Sequence, residues 1–214
     1  MHVVITGASR GIGKALAERY AGAGARVTGT SRSDGGDATL DVTDPKSHAA
    51  FASSLGHDAV DLLVCNAGIY PDKGETLDTG YPPAMWAEAM ATNVTGVFLS
   101  IQSLLPHLSR SDRPRVAIIS SQMASDTLAP GGSYVYRASK AAVLNLGRNL
   151  ATDLAPRGIA VGIYHPGWVR TDMGGDSAAI SPTESADGLH ARFDELDLDT
   201  TGCFRTWDGR EHPF

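Results

Sequence analysis

Tyr136 and Lys140 lie four residues apart in the segment 134–154, whose pattern predicts a long helix. Side chains at positions i and i+4 share one face of a helix, so the phenol and the ammonium would be neighbours. An adjacent ammonium stabilises tyrosinate and so lowers the pKa of a tyrosine, which is ordinarily near ~10. A tyrosine tuned in this way can act as a general acid or base, which the reduction of a carbonyl group requires.

Two further polar groups could complete this constellation. A serine hydroxyl could hold a substrate oxygen and orient Tyr136, and Ser120 and Ser121 stand at the end of a predicted strand, with Ser125 close behind. All three serines remain candidates on position alone. Asn93 falls inside a predicted helix, where asparagine is a poor interior residue. Its amide could stabilise a local break and bind a water molecule leading to Lys140.

The segment TGASRGIG, residues 6–13, follows a predicted strand and precedes a predicted helix. Gly7 would permit a tight turn, Gly11 would let the backbone approach a pyrophosphate, and Gly13 would let the helix pack closely. The start of the helix offers free N–H groups and a partial positive charge to an anion. This loop predicts a dinucleotide site.

The residues after the second predicted strand bear on which dinucleotide binds. An NAD site usually has a carboxylate there that bonds the ribose 2′-hydroxyl. This chain has Ser31 and Arg32 instead, and Arg32 and Arg10 could both pair with a 2′-phosphate. The nearby acids Asp34 and Asp37 argue in the other direction. We expect NADP(H) to be favoured over NAD(H).

Short β-branched strands alternate with longer Ala/Leu-rich helices along the chain. Apolar strands without clean alternation indicate a parallel sheet covered on both faces, so we expect one doubly wound, Rossmann-type α/β domain over residues 1–214. The span from Ser31 to Ala38 is too short for a crossover helix, which should be absent or reduced to a turn. The predicted strands are 3–6, 26–30, 38–42, 62–65, 115–120, 159–164 and 203–207. The predicted helices are 14–23, 85–105 (one helix, or two meeting near Asn93), 134–154 and 182–196.

Composition excludes several classes of protein. The 214 residues include 24 acidic and 18 basic side chains, a formal charge of −6, which argues against a nucleic-acid partner. The start of the sequence does not resemble a signal peptide, and no apolar run approaches a membrane span. The two cysteines and seven histidines lack the spacing of a zinc site, so we expect no metal. These features favour a cytoplasmic protein.

Several motifs, in this order along the chain, resemble the short-chain dehydrogenase/reductase family. They are the glycine spacing of residues 6–13, Asp41, the segment 65–68 (CNAG), the Tyr136–Lys140 spacing, and Pro166-Gly167 followed by Thr171. Within the family the chain is most similar to the C-factor and small carbonyl-reductase branch. That finer resemblance lies in residues 134–140 and 165–173, and in the tail from Ser181, which includes residues 207–211.

The resemblance assigns roles to individual residues. It implies a catalytic set of Asn93, Ser121, Tyr136 and Lys140, with Ser121 preferred because the family usually uses the second serine of such a pair. It also implies that Lys140 bonds the nicotinamide ribose and that Asn93 extends a proton relay. The expected cofactor-binding residues are Gly7, Ser9, Arg10, Gly11, Ile12, Gly13, Ser31, Arg32, Asp41, Val42, Asn66, Ala67, Gly68, Tyr136, Lys140, Pro166, Gly167, Val169 and Thr171.

The same resemblance implies an oxidoreductase that moves a hydride between a nicotinamide and a carbonyl or alcohol carbon of a small molecule. A homodimer or homotetramer is expected, built on helices 93–105 and 136–154. The alternative is an NADP(H)-binding signalling or sensor protein of the C-factor type with little turnover. Large apolar residues would form the pocket wall or belong to the core: Ile69, Tyr70, Met123, Tyr134, Trp168 and Met173.

Overall fold

The computed structural model describes residues 1–33 and 35–214 and contains a parallel β-sheet of seven strands. The strands are β1 (His2–Thr6), β2 (Arg26–Ser31), β3 (Ala38–Thr39), β4 (Leu62–Cys65), β5 (Arg115–Ile119), β6 (Ala160–His165) and β7 (Phe204–Thr206). Their order in the sheet is β3-β2-β1-β4-β5-β6-β7, and every neighbouring pair is parallel. The predicted doubly wound fold is confirmed.

Within these described residues, six α-helices cover the two faces of the sheet. They are α1 (Gly11–Gly22), α2 (Pro45–Ser54), α3 (Pro83–Met90), α4 (Gly96–Leu108), α5 (Tyr134–Leu154) and α6 (Pro182–Asp194). A π-helical turn, Ala91–Thr95, joins α3 to α4, and 3-10 turns span Gln122–Ala124 and Ala155–Arg157. In the part of the chain that the structure describes, no helix has the length and apolar character needed to cross a membrane.

Neighbouring residues of each strand belong to different cores, because side chains alternate across a sheet. Val3 and Ile5 of β1 pack with Leu16 and Tyr20 of α1 on one face, whereas Val4 packs in the cluster on the other face. Both faces are therefore buried, which explains why the strands are apolar throughout.

The strand order reverses between β1 and β4. The chain runs outward from β1 to β2 and β3, then returns to place β4 on the other side of β1. In a doubly wound sheet, such a switch point leaves a crevice outside the carboxyl ends of the strands. The glycine loop after β1 and the segment after β4 meet there.

Helix α2 was missed by the sequence analysis, although its start carries two recognisable signals. Asp44 accepts a hydrogen bond from the Lys46 amide at 2.9 Å, and Pro45 occupies the first helical position. Both are favoured at helix starts. The segment is rich in small and polar residues, and only His48 and Phe51 are buried, so its apolar periodicity is weak.

Strand β3 is shorter than predicted because a turn follows it at once. The Asp41 carboxylate accepts hydrogen bonds from the Thr43 amide at 2.9 Å and hydroxyl at 2.7 Å. Such side-chain bonds stabilise a turn in competition with a strand. The described residues of the connection from β2 to β3 (32–33 and 35–37) form bends, in agreement with the predicted loss of a crossover helix there.

The predicted helix 85–105 is two helices. The π-helical turn that separates them contains Asn93, so the expected break at this residue is confirmed. Smaller differences concern element ends: α1 begins at Gly11, and α6 ends at Asp194.

Candidate active site

A cleft of about 470 Å³ opens at the carboxyl ends of the strands, where the strand order reverses. It joins the glycine loop at one end to the Tyr136 and Lys140 side chains at the other. Most residues predicted to bind a cofactor line it, namely Gly7, Ser9, Arg10, Gly11, Ile12, Ser31, Arg32, Asp41, Val42, Asn66, Ala67, Gly68, Tyr136, Lys140, Pro166 and Thr171. The cleft is also lined by seven residues without a predicted role: Leu40, Thr43, Thr92, Ile119, Arg170, Asp172 and Pro182.

Five predicted site residues lie outside this lining: Gly13, Asn93, Ser121, Gly167 and Val169. Val169 is buried, and a side chain at Gly167 would meet Ile180 and Trp207. Both residues belong to the turn after β6, and their contact with a cofactor stays a prediction.

The glycine loop has the geometry of an anion cradle. Gly7 and Gly11 have φ values of 68° and 56°, a left-handed backbone that residues with a side chain rarely adopt. Helix α1 begins at Gly11, and no side chain caps it. The N–H groups at its start therefore remain available, as a pyrophosphate site requires.

Gly13 and Asn66 fasten the loop to the sheet. A Cβ atom on Gly13 would lie 2.2 Å from the Gly7 carbonyl oxygen and 2.5 Å from Asn66 Nδ2. The Asn66 amide donates to the carbonyl oxygens of Thr6 and Gly7 at 3.0 and 2.9 Å. Asn66 thus supports the loop as well as lining the cleft.

Two arginines line the cleft beyond β2. Arg10 pairs with Asp172 at 2.8 Å, and both side chains are 77% exposed. Surface pairs of this kind contribute little, about 0–1 kcal/mol, so Arg10 can exchange this partner for another anion. Asp37 has a charge that would disfavour a bound phosphate. Its carboxylate accepts a hydrogen bond from the Gly29 amide at 2.8 Å. Asp34, the other acid of concern, lies outside the described residues.

Tyr136 is buried among groups that differ from those expected. Burial raises its pKa to about 12, a hydrogen bond with the Ser121 side chain lowers it, and Tyr70 and Asp72 raise it further. Lys140 Nζ lies 5.7 Å from the centroid of the Tyr136 ring. Burial is the largest of these influences, so the pKa of Tyr136 stands above its ordinary value, opposite to the direction expected from Lys140 alone.

The Lys140 ammonium is itself buried, and burial lowers its pKa to about 8. It donates a hydrogen bond to the Ile119 carbonyl oxygen at 3.0 Å, beside the end of β5. A Cβ atom at Gly68 would stand 3.5 Å from Nζ, so glycine keeps this side of the ammonium clear.

The three candidate serines have different environments. Ser120 donates to the Lys140 carbonyl oxygen at 3.0 Å, and Ser125 donates to the Phe214 carbonyl oxygen at 3.2 Å. Ser121 caps the following 3-10 turn by accepting a hydrogen bond from the Met123 amide at 3.1 Å. Of the three serines it is the one that lowers the pKa of Tyr136, and its catalytic role stays a prediction.

The Asn93 side chain forms hydrogen bonds with residues outside the π-helical turn in which it lies. Its side chain accepts from the Ile69 amide at 2.8 Å and donates to the Ile69 carbonyl oxygen at 2.9 Å and to Ser139 at 3.0 Å. Both amide hydrogens are therefore committed to protein oxygens. The expected water between Asn93 and Lys140 stays a prediction.

The expected pocket wall is only partly assembled. Ile69 and Met173 border the cleft, and Tyr70 stacks on Tyr136 with ring centroids 4.2 Å apart. Trp168 is 52% exposed and donates its indole N–H to Gly174, while the partly buried Met123 follows Ser121. Tyr134 contacts Tyr81 edge-on, with ring centroids 5.2 Å apart.

Asp72 is the main residue that the sequence analysis missed. It is fully buried and accepts hydrogen bonds from the amides of Val135 and Tyr136. Its local context, Pro71-Asp72-Lys73-Gly74, is typical of an exposed turn, so sequence alone offers no signal for burial. In the described ranges, no group of three or more His, Cys, Asp or Glu side chains could hold a metal ion.

This chain is similar to known proteins both in sequence and in fold. The family model for short chain dehydrogenases matches residues 1–180. The C-signal protein of Myxococcus xanthus is 36% identical over 166 residues, covering 77% of this chain and 99% of that protein. The 3-oxoacyl-(acyl-carrier-protein) reductase FabG of Vibrio cholerae is 34% identical over 185 residues, 79% of this chain and 74% of that one. An NADPH-bound carbonyl reductase from chicken fatty liver superposes with a TM-score of 0.90 at 29% identity, covering 100% and 98% of the two chains.

Proposed function

The chain belongs to the short-chain dehydrogenase family and is an NAD(P)-dependent oxidoreductase, and from that premise we propose that it transfers a hydride between NADP(H) and a carbonyl or alcohol carbon of a small molecule. The observation that carries this proposal is the continuity of one cleft from the uncapped start of α1 to the buried pair Tyr136 and Lys140. The same cleft can take a phosphate group at one end and a reacting carbonyl at the other.

The residues present fit such a cofactor. The left-handed glycines and free N–H groups at the start of α1 would hold the pyrophosphate, and Lys140 would bond the nicotinamide ribose. Asp41 and Thr171 both line the cleft. Asp41 would contact the adenine end of the cofactor, and Thr171 would contact the carboxamide. When bound, the nicotinamide supplies or accepts the hydride.

Preference for NADP(H) is part of the proposal. Arg32 and Arg10 line the end of the cleft beside Ser31, and Asp37 is hydrogen-bonded to backbone. A 2′-phosphate would therefore meet guanidinium groups, which bind phosphates through charge-assisted hydrogen bonds. The NADPH-bound carbonyl reductase that shares this fold supports the same choice.

Tyr136 would donate the proton to the substrate oxygen in reduction and accept it in oxidation. Ser121 would hold the same oxygen and keep the phenol oriented. The high pKa of Tyr136 keeps the phenol protonated at neutral pH, which suits the reductive direction. A positively charged oxidised nicotinamide would favour ionisation of the phenol, and so would assist oxidation.

A second candidate function rests on the similarity to C-signal. In this alternative, the chain binds NADP(H) as a sensor or signalling protein and turns over little substrate. Binding alone requires the glycine loop but not the phenol of Tyr136. The two functions can therefore be separated by substitutions at this tyrosine.

The test is the oxidation of NADPH and of NADH with a panel of aliphatic and aromatic aldehydes and ketones. Tyr136→Phe should lower kcat by about 10²–10⁴-fold, because general acid catalysis is lost while ring packing is kept. NADPH affinity should stay within a few fold. Tyr134→Phe is the matched control, two residues away on the same helix, and should behave as the parent.

Each outcome has a clear meaning. Full activity in Tyr136→Phe would contradict the assignment of the proton donor, and equal rates with NADPH and NADH would contradict the cofactor preference. A parent protein that binds NADPH tightly but reduces none of the carbonyls would favour the sensor function.

We also propose a cytoplasmic enzyme that forms a homodimer or homotetramer. Both cysteines are free thiols, as is usual in a reducing compartment. Large apolar side chains on α3 and α4 (Trp86, Met90 and Phe98) are more than a third exposed. An exposed apolar patch of this kind is typical of a protein interface.

A further inference from the structure

We propose that Asp72 is a positioning residue for Tyr136: its buried carboxylate fixes the first turn of α5 and so sets where the phenol stands in the cleft. The inference rests on the proposed function, in which Tyr136 exchanges a proton with the substrate. None of the family motifs that identify the site includes Asp72.

The first observation is the way α5 begins. The first N–H groups of a helix need acceptors from outside it. Ser133, the residue before α5, has a left-handed backbone (φ 50°) and makes no capping bond with its side chain. Asp72 supplies the missing acceptor, with Oδ2 2.8 Å from the Val135 nitrogen and Oδ1 3.2 Å from the Tyr136 nitrogen. The residue held at the second amide is the proposed catalytic tyrosine itself.

The second observation is the burial of this carboxylate. Asp72 has 0% exposure, and within residues 1–33 and 35–214 it takes part in no salt bridge. A buried charge is costly unless it is compensated. The compensation here comes from the amides and the positive end of the α5 dipole. A capping carboxylate at the surface would stabilise α5 without the cost of desolvation. The buried carboxylate carries that cost, and it places a negative charge close to Tyr136.

The third observation is that two further residues of the loop bearing Asp72, Ile69 and Tyr70, are also held in place. Asn93 binds both the amide and the carbonyl group of Ile69. Tyr70 stacks on the Tyr136 ring at 4.2 Å, and its hydroxyl hydrogen-bonds Ser133 at 2.5 Å. Segment 69–72 therefore connects the π-helical turn to the start of α5 through hydrogen bonds and ring stacking. Positional precision of this kind matters, because misplacement by about 1 Å can cost ~10²-fold in rate.

The carboxylate also has an electrostatic effect on the phenol. The titratable groups facing Tyr136 are Tyr70 and Asp72 from the loop after β4, and Lys140 from its own helix. A negative charge opposes formation of tyrosinate, so Asp72 keeps the phenol protonated. Its removal should lower the pKa of Tyr136.

The test compares Asp72→Asn with the parent protein, with Asp72→Ala, and with Asp78→Asn as a matched control in the same loop. Asparagine keeps one acceptor oxygen for the helix start but loses the charge, so the fold should be retained. We expect Asp72→Asn to lower kcat about tenfold and leave KM for NADPH within about twofold. The alkaline limb of the pH profile of kcat should move to lower pH by about half a unit. Asp78 is exposed, so its variant should match the parent.

A purely structural cap would behave differently. Asp72→Ala would then lose activity and stability together, Asp72→Asn would restore both, and the alkaline limb would not move. That pattern, or parent-like kinetics in Asp72→Asn, would overturn the proposal.

A readout independent of turnover separates this inference from the proposed function. The difference in tyrosinate absorbance between each protein and its Tyr136→Phe derivative isolates the titration of Tyr136. In Asp72→Asn this titration should begin at lower pH than in the parent. An unchanged curve refutes the role of Asp72, whereas a parent without carbonyl reductase activity refutes only the proposed function.

Discussion

Lys140 is held in the cleft at a cost to the folded state. Its ammonium is buried, its pKa falls to about 8, and one carbonyl oxygen, that of Ile119, accepts its hydrogen bond within the described chain. An ion so placed is poorly compensated compared with its state in water. This arrangement is typical of a residue retained for binding or chemistry instead of stability.

We therefore predict that Lys140→Met raises thermal stability while it removes turnover and weakens NADPH binding. The gain should be about 1 kcal/mol in the free energy of unfolding at pH 6.5. The folded pKa of about 8 lies below the ordinary value of 10.5, so between these two values the unfolded chain binds the extra proton. The free energy of unfolding of the parent protein therefore rises with pH across that window. The stability advantage of Lys140→Met should shrink over the same range.

Thermal melts of both proteins at pH 6.5 and pH 9.5, each without cofactor, check this expectation. Lys14→Met, at an exposed lysine on α1, controls for the loss of a surface charge. A Lys140→Met protein that is less stable than the parent at pH 6.5 would show that the ammonium stabilises the fold.

At the scale of elements, the site depends on how closely α1 approaches the sheet. Gly13 and Gly22 are both helical glycines of α1. A Cβ atom at Gly13 would collide with the Gly7 carbonyl oxygen and with Asn66, whereas at Gly22 it would meet nothing within 4 Å. The two positions therefore separate helix propensity from packing.

We predict opposite effects for alanine at these two positions. Gly13→Ala should destabilise the protein by about 1–3 kcal/mol, as overpacking does, and should weaken NADPH binding because the glycine loop must move. Gly22→Ala should be neutral or stabilising by up to about 1 kcal/mol, since alanine is the better helix former. Chemical denaturation and NADPH titration of both variants measure this. Equal behaviour of the two variants would contradict the packing role of Gly13.

At the scale of the whole molecule, three large apolar side chains stay partly exposed on α3 and α4: Trp86, Met90 and Phe98. Ala138 is exposed on α5. A small residue at this position would let the helices of two subunits approach closely. These exposed residues fit the proposed oligomer on helices 93–105 and 136–154.

Sedimentation at micromolar concentration should therefore show a dimer or tetramer. Phe98→Glu should shift the protein toward monomer, because a buried carboxylate at an interface is costly. Leu77→Glu is the control, at a side chain that is 73% exposed in the loop before α3. A parent protein that sediments only as a monomer would rule out the oligomer.

The sequence by itself determined the features that depend on local spacing. Glycines four and then two residues apart at a strand–helix junction imply an anion cradle, and a spacing of four on a helix places Tyr136 beside Lys140. A break at Asn93 follows from its poor helix propensity. Apolar strands alternating with helices were enough for a doubly wound sheet. Helix α2 escaped notice because most of its residues are small or polar, which leaves little periodicity.

Only the tertiary structure decided which polar groups act on the reacting side chain. Asp72 is 63 residues from Val135 in sequence, and no local pattern distinguishes a buried carboxylate from one in an exposed turn. The same holds for Asp37, whose carboxylate is bonded to backbone, and for Ser121, which differs from Ser120 only in its neighbours. The physical reason is that burial and hydrogen-bond partners arise where distant segments meet. Desolvation there raises the pKa of Tyr136 despite the nearby ammonium.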